Sequence, residues 1–161
     1  MVNAEHTVEE VWKALGEVAD PEIPVLSVLD MKIVRNVMLD HGSVSVEITP
    51  TFAGCPAMDQ IQADIRAKLL EKGFSSVEVK KNLSGAWSSD MLDPVAREKL
   101  RTFGIAPPAA VHVDLSNVPA VLCPHCNSDR THMESSFGPT LCKQIFYCDS
   151  CRQSFERFKA L

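Results

Sequence analysis

At 161 residues, with 45% hydrophobic and 23% charged side chains, the chain suits one modest domain plus a small appendage of ordinary globular composition. A formal net charge of −5 argues against a general nucleic-acid or anionic-membrane binder, which would present a basic surface. The first residues lack a basic region followed by an apolar run, and no stretch approaches a membrane span, so a soluble, unexported, cytoplasmic protein is expected.

Thr7-Val8-Glu9-Glu10 has the form of a capping box, and Val8, Val11, Trp12, Leu15, Val18 and Ala19 follow at helical spacing. This predicts an amphipathic helix that stops at Asp20-Pro21. Asp20-Pro21-Glu22-Ile23-Pro24 is then extended, because a proline biases the residue before it away from the helical region. Lys32 to Leu39 and Ser43 to Thr49 read as two strands joined by the polar turn Asp40-His41-Gly42. In the second strand Val44, Val46 and Ile48 are expected to face the core, with Ser43, Ser45, Glu47 and Thr49 facing out.

Next comes Thr51-Phe52-Ala53-Gly54-Cys55-Pro56-Ala57-Met58, with a strand running in and a helix running out. Proline fits the first helical position, where its missing N–H costs nothing, so Cys55 is the expected N-cap. There its sulfur would face free backbone donors and the positive end of the helix, which favour thiolate. The plainer reading is a small buried hydrophobe that ends a strand. Met58, Ile61, Ile65 and Leu69 mark a second helix closing at Lys72-Gly73, and Ser76 to Leu83 reads as a third strand. After a loop through Ser84 to Asp90, Asp93-Pro94 opens a third helix with Val95, Ala96, Leu100 and Phe103 on its apolar side and Gly104 at its end.

Helix, two strands, helix, strand, helix predicts an α+β domain over residues 1–104. Residues 105–120 read as an ordered, proline-bearing linker whose Val111, Val113 and Leu115 pack along a domain or a partner chain.

Cys123-Pro124-His125-Cys126 and Cys148-Asp149-Ser150-Cys151 enclose residues 127–147. Two such turns brought together give a tetrahedral four-sulfur cage, which zinc prefers and which iron also accepts. The intervening sequence reads as a hairpin, with Ser154 to Lys159 as a further strand, so residues 121–161 are expected to form a ribbon stabilised by a structural metal. With four cysteines saturating the ion, His125 is expected as exposed filler and Cys142 as part of the hairpin core.

Asp20-Pro21-Glu22-Ile23-Pro24, the Gly54-Cys55-Pro56 turn and Trp87-Ser88-Ser89-Asp90 resemble the family of small iron–sulfur assembly proteins that share an Asp-Pro-Glu motif and a single reactive cysteine. With Ser136-Phe137-Gly138-Pro139-Thr140, Cys142-Lys143 and Ser154 to Lys159 added, the whole chain is similar to the D-type proteins of bacterial phenylacetyl-CoA epoxidase operons. The resemblance implies an accessory factor that helps iron–sulfur or di-iron centres of the epoxidase mature, with its reductase or oxygenase subunits as partners. It makes Cys55 the functional thiol and a transient ligand of iron or a cluster, places Asp20 and Glu22 near it, and puts Thr51, Trp87 and Asp90 in the surrounding motifs.

A carboxylate close to Cys55 would raise its pKa, opposing the helix terminus until a cation arrives. One thiolate cannot hold a cluster that takes four ligands, so either a homodimer shares a cluster between two Cys55 residues or the client supplies ligands. Two rival readings remain. In one, Cys55 is the nucleophile of an enzyme, for which His6, His41, His112 and His132 offer no base by motif; in the other, the chain is a structural adaptor of the oxygenase.

Overall fold

Residues 6–111 and 119–161 are described by the computed structural model, and they divide into two units, Met1–Trp87 and Ser88–Leu161. In the first unit, helix α1 (Val8–Gly16) starts with the expected capping box. Glu10 N donates to Thr7 Oγ1 at 3.3 Å, and Thr7 N donates to Glu10 Oε2 at 2.9 Å. The helix ends at Gly16, earlier than the periodicity suggested, and Val18 and Ala19 belong to an irregular segment bridged to Ser27. Val11 and Leu15 are buried, whereas Trp12 lies on the exposed side.

Strands β1 (Val34–Asp40) and β2 (Ser43–Ile48) form an antiparallel hairpin through His41 and Gly42, both at positive φ, the two-residue turn whose twist matches the strands. Helix α2 (Ala57–Glu71) then carries the chain to β3 (Ser76–Lys81), which pairs with β2 in parallel, giving the sheet order β1-β2-β3. Val44, Val46 and Ile48 face Ile61, Ile65 and Leu69 of α2 across a core in which all six are nearly inaccessible to solvent.

Thr49 departs from the alternation. Expected to point out, it is fully buried, because the loop after β3 folds over it: a Cβ on Gly85 would sit 2.7 Å from Thr49 Oγ1. Two hydrogen bonds secure that loop, from Trp87 Nε1 to Met31 O at 2.7 Å and from an Arg35 guanidinium N–H to Ala86 O at 2.9 Å.

In the second unit, Ser89–Met91 makes a 3₁₀ turn before α3 (Pro94–Phe103), which has Asp93 as its cap and Gly104 left-handed at φ +94 as its stop. The sequence reading places α3 at the end of a domain over residues 1–104; in the structure it lies in the unit Ser88–Leu161. Its neighbours explain this. Arg97 donates to the carbonyls of Leu92, Ser89 and Pro108, and β4 (Ile105–Ala106), directly after the helix, pairs in parallel with β7 (Gln153–Phe158). Val95 and Phe103, expected on the apolar side, are exposed, and Ala96 and Leu100 alone form the buried stripe.

Strands β5 (Thr131–Ser135) and β6 (Lys143–Cys148) complete the sheet in the order β4-β7-β6-β5, with β7, β6 and β5 antiparallel. The start of the expected linker is therefore a sheet strand; His112, Val113 and Leu115 lie outside the described residues. Among the described residues no helix is long and apolar enough to cross a membrane.

Thr49 Oγ1 is buried without a hydrogen-bond partner, which leaves its desolvation uncompensated. Thr49→Val should keep the fold and raise unfolding stability by about 1 kcal/mol, read from urea denaturation at an unchanged m value.

Candidate thiol site and metal centre

The residues from Thr49 to Pro56 carry the chain from the end of β2 to the start of α2. Gly54 adopts φ +81, a conformation that turns the chain sharply before Cys55, and a Cβ there would meet nothing within 4 Å. The helical residues begin at Ala57 with Pro56 as the cap, one residue later than expected, although Pro56 already has helical φ and ψ. The consequence foreseen for Cys55 survives this shift. The Ala57 N–H is aimed at the Cys55 sulfur, and the Thr51 hydroxyl also donates to it.

Cys55 is half-buried, and its pKa is nevertheless raised above the ordinary thiol value. Burial is the largest cause. The hydrogen bonds from Ala57 and Thr51 work against it, while the carboxylates of Glu22 and then Asp20 add to it. Asp20 owes its place to the turn that it builds: its Oδ1 accepts from Glu22 N and Ile23 N, each at 2.8 Å, and its own N donates to Leu26 O at 2.8 Å. Asp20 thus builds a turn beyond the end of α1 rather than stopping the helix, and its carboxylate also acts on Cys55. Asp20 is buried and Glu22 half-buried, so their negative charge reaches the thiol through little water.

Thr51, Asp20 and Glu22 therefore gather at Cys55. Trp87 serves the loop over Thr49 through its bond to Met31, and Asp90 lies in the second unit, where its carboxylate accepts from Val111 N.

In the ribbon, the sulfurs of Cys123, Cys126, Cys148 and Cys151 all lie within 4.8 Å of one another. Cys123 and Cys151 are 3.7 Å apart and Cys126 and Cys148 3.6 Å, close to the roughly 3.8 Å edge of a tetrahedron with metal–sulfur bonds of about 2.3 Å. Two matching turns produce this. Asn127 N donates to Cys123 O at 2.9 Å and Arg152 N to Cys148 O at 2.8 Å, and both residues, each just past a cysteine pair, take a positive φ. The Cys151 N–H, joined by that of Ser150, brings Cys148 down to about 6, whereas burial and the hydrogen bond with Cys148 push Cys151 up to about 12. The donor set thus fits a soft dication that would compensate all four thiolates. Cys142 is buried beside Thr140 and outside the cluster, and His125 is exposed with its ring edge-on to Phe155.

A family profile described as iron–sulfur cluster assembly protein matches residues 8–80, and one described as PaaD zinc beta ribbon domain matches residues 107–159. The structure is similar to that of domain of unknown function DUF59 from Bacillus anthracis, with a TM-score of 0.53 and 24% identity, covering 57% of this chain and 89% of that one. Fold and site together define an α+β domain of the iron–sulfur assembly type joined to a zinc ribbon.

A protein of Escherichia coli (strain K12), named as the putative D component of a 1,2-phenylacetyl-CoA epoxidase, is 42% identical over 154 residues, 96% of this chain and 93% of that protein. The chain belongs to this family of D-type epoxidase proteins. A Porphyromonas gingivalis protein named "Fe-S protein maturation auxiliary factor" is 42% identical over 64 residues, 39% of this chain and 60% of that one.

Two outcomes follow from the electrostatics. Glu22→Gln should lower the Cys55 pKa and speed its alkylation by iodoacetamide at pH 7.5, and Thr51→Val should slow it, with the Cys55 adduct quantified by mass spectrometry. Stripping the ribbon's metal with a chelator should collapse the amide dispersion of residues 121–161 in a nitrogen-15 correlation spectrum while leaving that of residues 6–87 in place.

Proposed function

We propose that the protein is a cytoplasmic accessory factor of a phenylacetyl-CoA epoxidase, assisting maturation of that enzyme's iron–sulfur or di-iron centres through Cys55 rather than oxidising substrate. Its family and the assembly-type domain support the accessory role. The observation that carries the part given to Cys55 is the opposition at its sulfur: burial, with smaller additions from Glu22 and Asp20, keeps it protonated while Ala57 and Thr51 donate to it.

Such a thiol releases its proton when a cation arrives to offset the two carboxylates, and regains it when the cation leaves. Iron or a cluster is cargo in this reading. Thr51 and Ala57 would stay aimed at the thiolate during the transfer, and the remaining ligands would come from the client or from a second Cys55 in a homodimer.

The four ribbon cysteines would hold zinc as a resident structural ion, neutralising thiolates that cannot otherwise be ionised together. The nucleophilic-enzyme reading is less well supported. Among the described residues no histidine is one of the groups that set the Cys55 pKa, and His6 and His41 are engaged with Glu10 and Gly73 and with Asp40.

Anaerobic reconstitution with iron and sulfide should give a visible charge-transfer spectrum that Cys55→Ala loses while keeping its fold and ribbon metal. The same variant should fail to support epoxidase activation in cells. Identical spectra, or full activation by Cys55→Ala, would remove Cys55 from the mechanism.

A further inference from the structure

In the first unit, the chain reaches the thiol site through Thr49-Pro50-Thr51, a short piece with little freedom. Ahead of it the end of β2 is held from both edges: Thr49 N donates to Ile33 O at 2.9 Å, and Asn82 N donates to Ile48 O at 2.8 Å. Thr49 precedes a proline and is thereby biased to extended backbone, and the Pro50 ring fixes the next φ. Wherever Thr49 is held, Thr51 follows within narrow limits. Thr51 is itself buried, and its hydroxyl donates to the Cys55 sulfur.

The Thr49 side chain is held by contact rather than by hydrogen bonding. It is fully buried, its Oγ1 has no partner, and a Cβ on Gly85 would come within 2.7 Å of that oxygen and 3.3 Å of Cγ2. Gly85 is outside the left-handed region, so space and not backbone strain excludes a side chain there. The loop keeps Gly85 in place from both directions. Asn82 Oδ1 accepts from Ser84 N at 3.0 Å and from Gly85 N at 3.2 Å, while Asn82 Nδ2 donates to Glu47 Oε1 at 2.6 Å. Beyond Gly85, Ala86 O accepts from Arg35 and Trp87 Nε1 donates to Met31 O.

Resting on the reading of Cys55 above, we propose that the loop from Asn82 to Trp87 is a positioning device for the thiol site: Gly85 packs against Thr49, Pro50 carries that placement forward, and the Thr51 hydroxyl is thereby kept on the Cys55 sulfur. Gly85, Arg35 and Trp87 are positioning residues in this scheme, acting through Thr49 and Thr51 without touching the sulfur's cargo.

The test is the rate of Cys55 alkylation by iodoacetamide at pH 7.5 in the folded full chain, read by mass spectrometry of the Cys55 peptide. Gly85→Ala should slow it about threefold, the worth of one hydrogen bond to the sulfur. Two double variants report the route. Gly85→Ala/Thr51→Val should be no slower than Thr51→Val, because the donor is already gone, and Gly85→Ala/Thr49→Ala, which makes room for the added Cβ, should return to the rate of Thr49→Ala. Arg35→Gln, at an exposed position, releases Ala86 without a clash and should slow alkylation in the same Thr51-dependent way, so the test holds even where Gly85→Ala does not fold.

An unchanged or faster rate in folded Gly85→Ala or in Arg35→Gln, equal slowing with and without the Thr51 hydroxyl, or no recovery with Thr49→Ala would overturn the proposal. The rate reports the Thr51 bond whether or not Cys55 carries iron, so failure of the loop's role and failure of the maturation role are read separately.

Discussion

Negative charge brought together in a small volume must be compensated, and three parts of this protein are arranged around that constraint. It is strictest in the ribbon. Four sulfurs within 4.8 Å of one another cannot all ionise unaided, and the contrast between Cys148, near 6, and Cys151, near 12, expresses the conflict. The buried cluster of Ala106, Cys123, Phe146, Cys148 and Phe155 includes two of those cysteines, so the small apolar core and the metal centre are one object. A ribbon of this size gains from a bound dication what its core is too small to supply.

At Cys55 the same constraint operates with one thiol and two carboxylates. Were the site built for a permanent thiolate, the hydrogen bonds from Ala57 and Thr51 would be left unopposed; were it inert, those donors would have no purpose at a half-exposed sulfur. On the reading proposed above, their balance against burial, to which Glu22 and Asp20 add, suits a ligand that changes state with its surroundings. The turn supports this physically. Asp20 is locked by backbone donors from Glu22 and Ile23, so its charge cannot swing away from the thiol as a surface carboxylate would.

The pattern extends to the surface of the same unit, where Glu17 and Glu71 are met by Lys68 and Lys72. On the reading proposed above, a structural cation would answer the charge in the ribbon and a transferred cation the charge at Cys55, as lysines answer it at Glu17 and Glu71.

Much of this was legible in the sequence because it depends on neighbours along the chain. The paired Cys-x-x-Cys turns, the Thr7 capping box, the Asp93-Pro94 start and Gly104 stop of α3, and the donors that Pro56 places ahead of α2 are all local devices. Even the opposition of Asp20 and Glu22 to Cys55 was anticipated, through resemblance rather than spacing.

Long-range packing decided the rest. Thr49 is buried because a loop some thirty-five residues later in the chain closes over it, and α3 joins the ribbon because β4 finds its partner in β7, about fifty residues on. Asp90 and Trp87, neighbours in one motif, fall in different units for the same reason. Alternation and capping report which way a side chain points relative to its own element; which surface then covers that side is settled only when distant segments compete to bury apolar area.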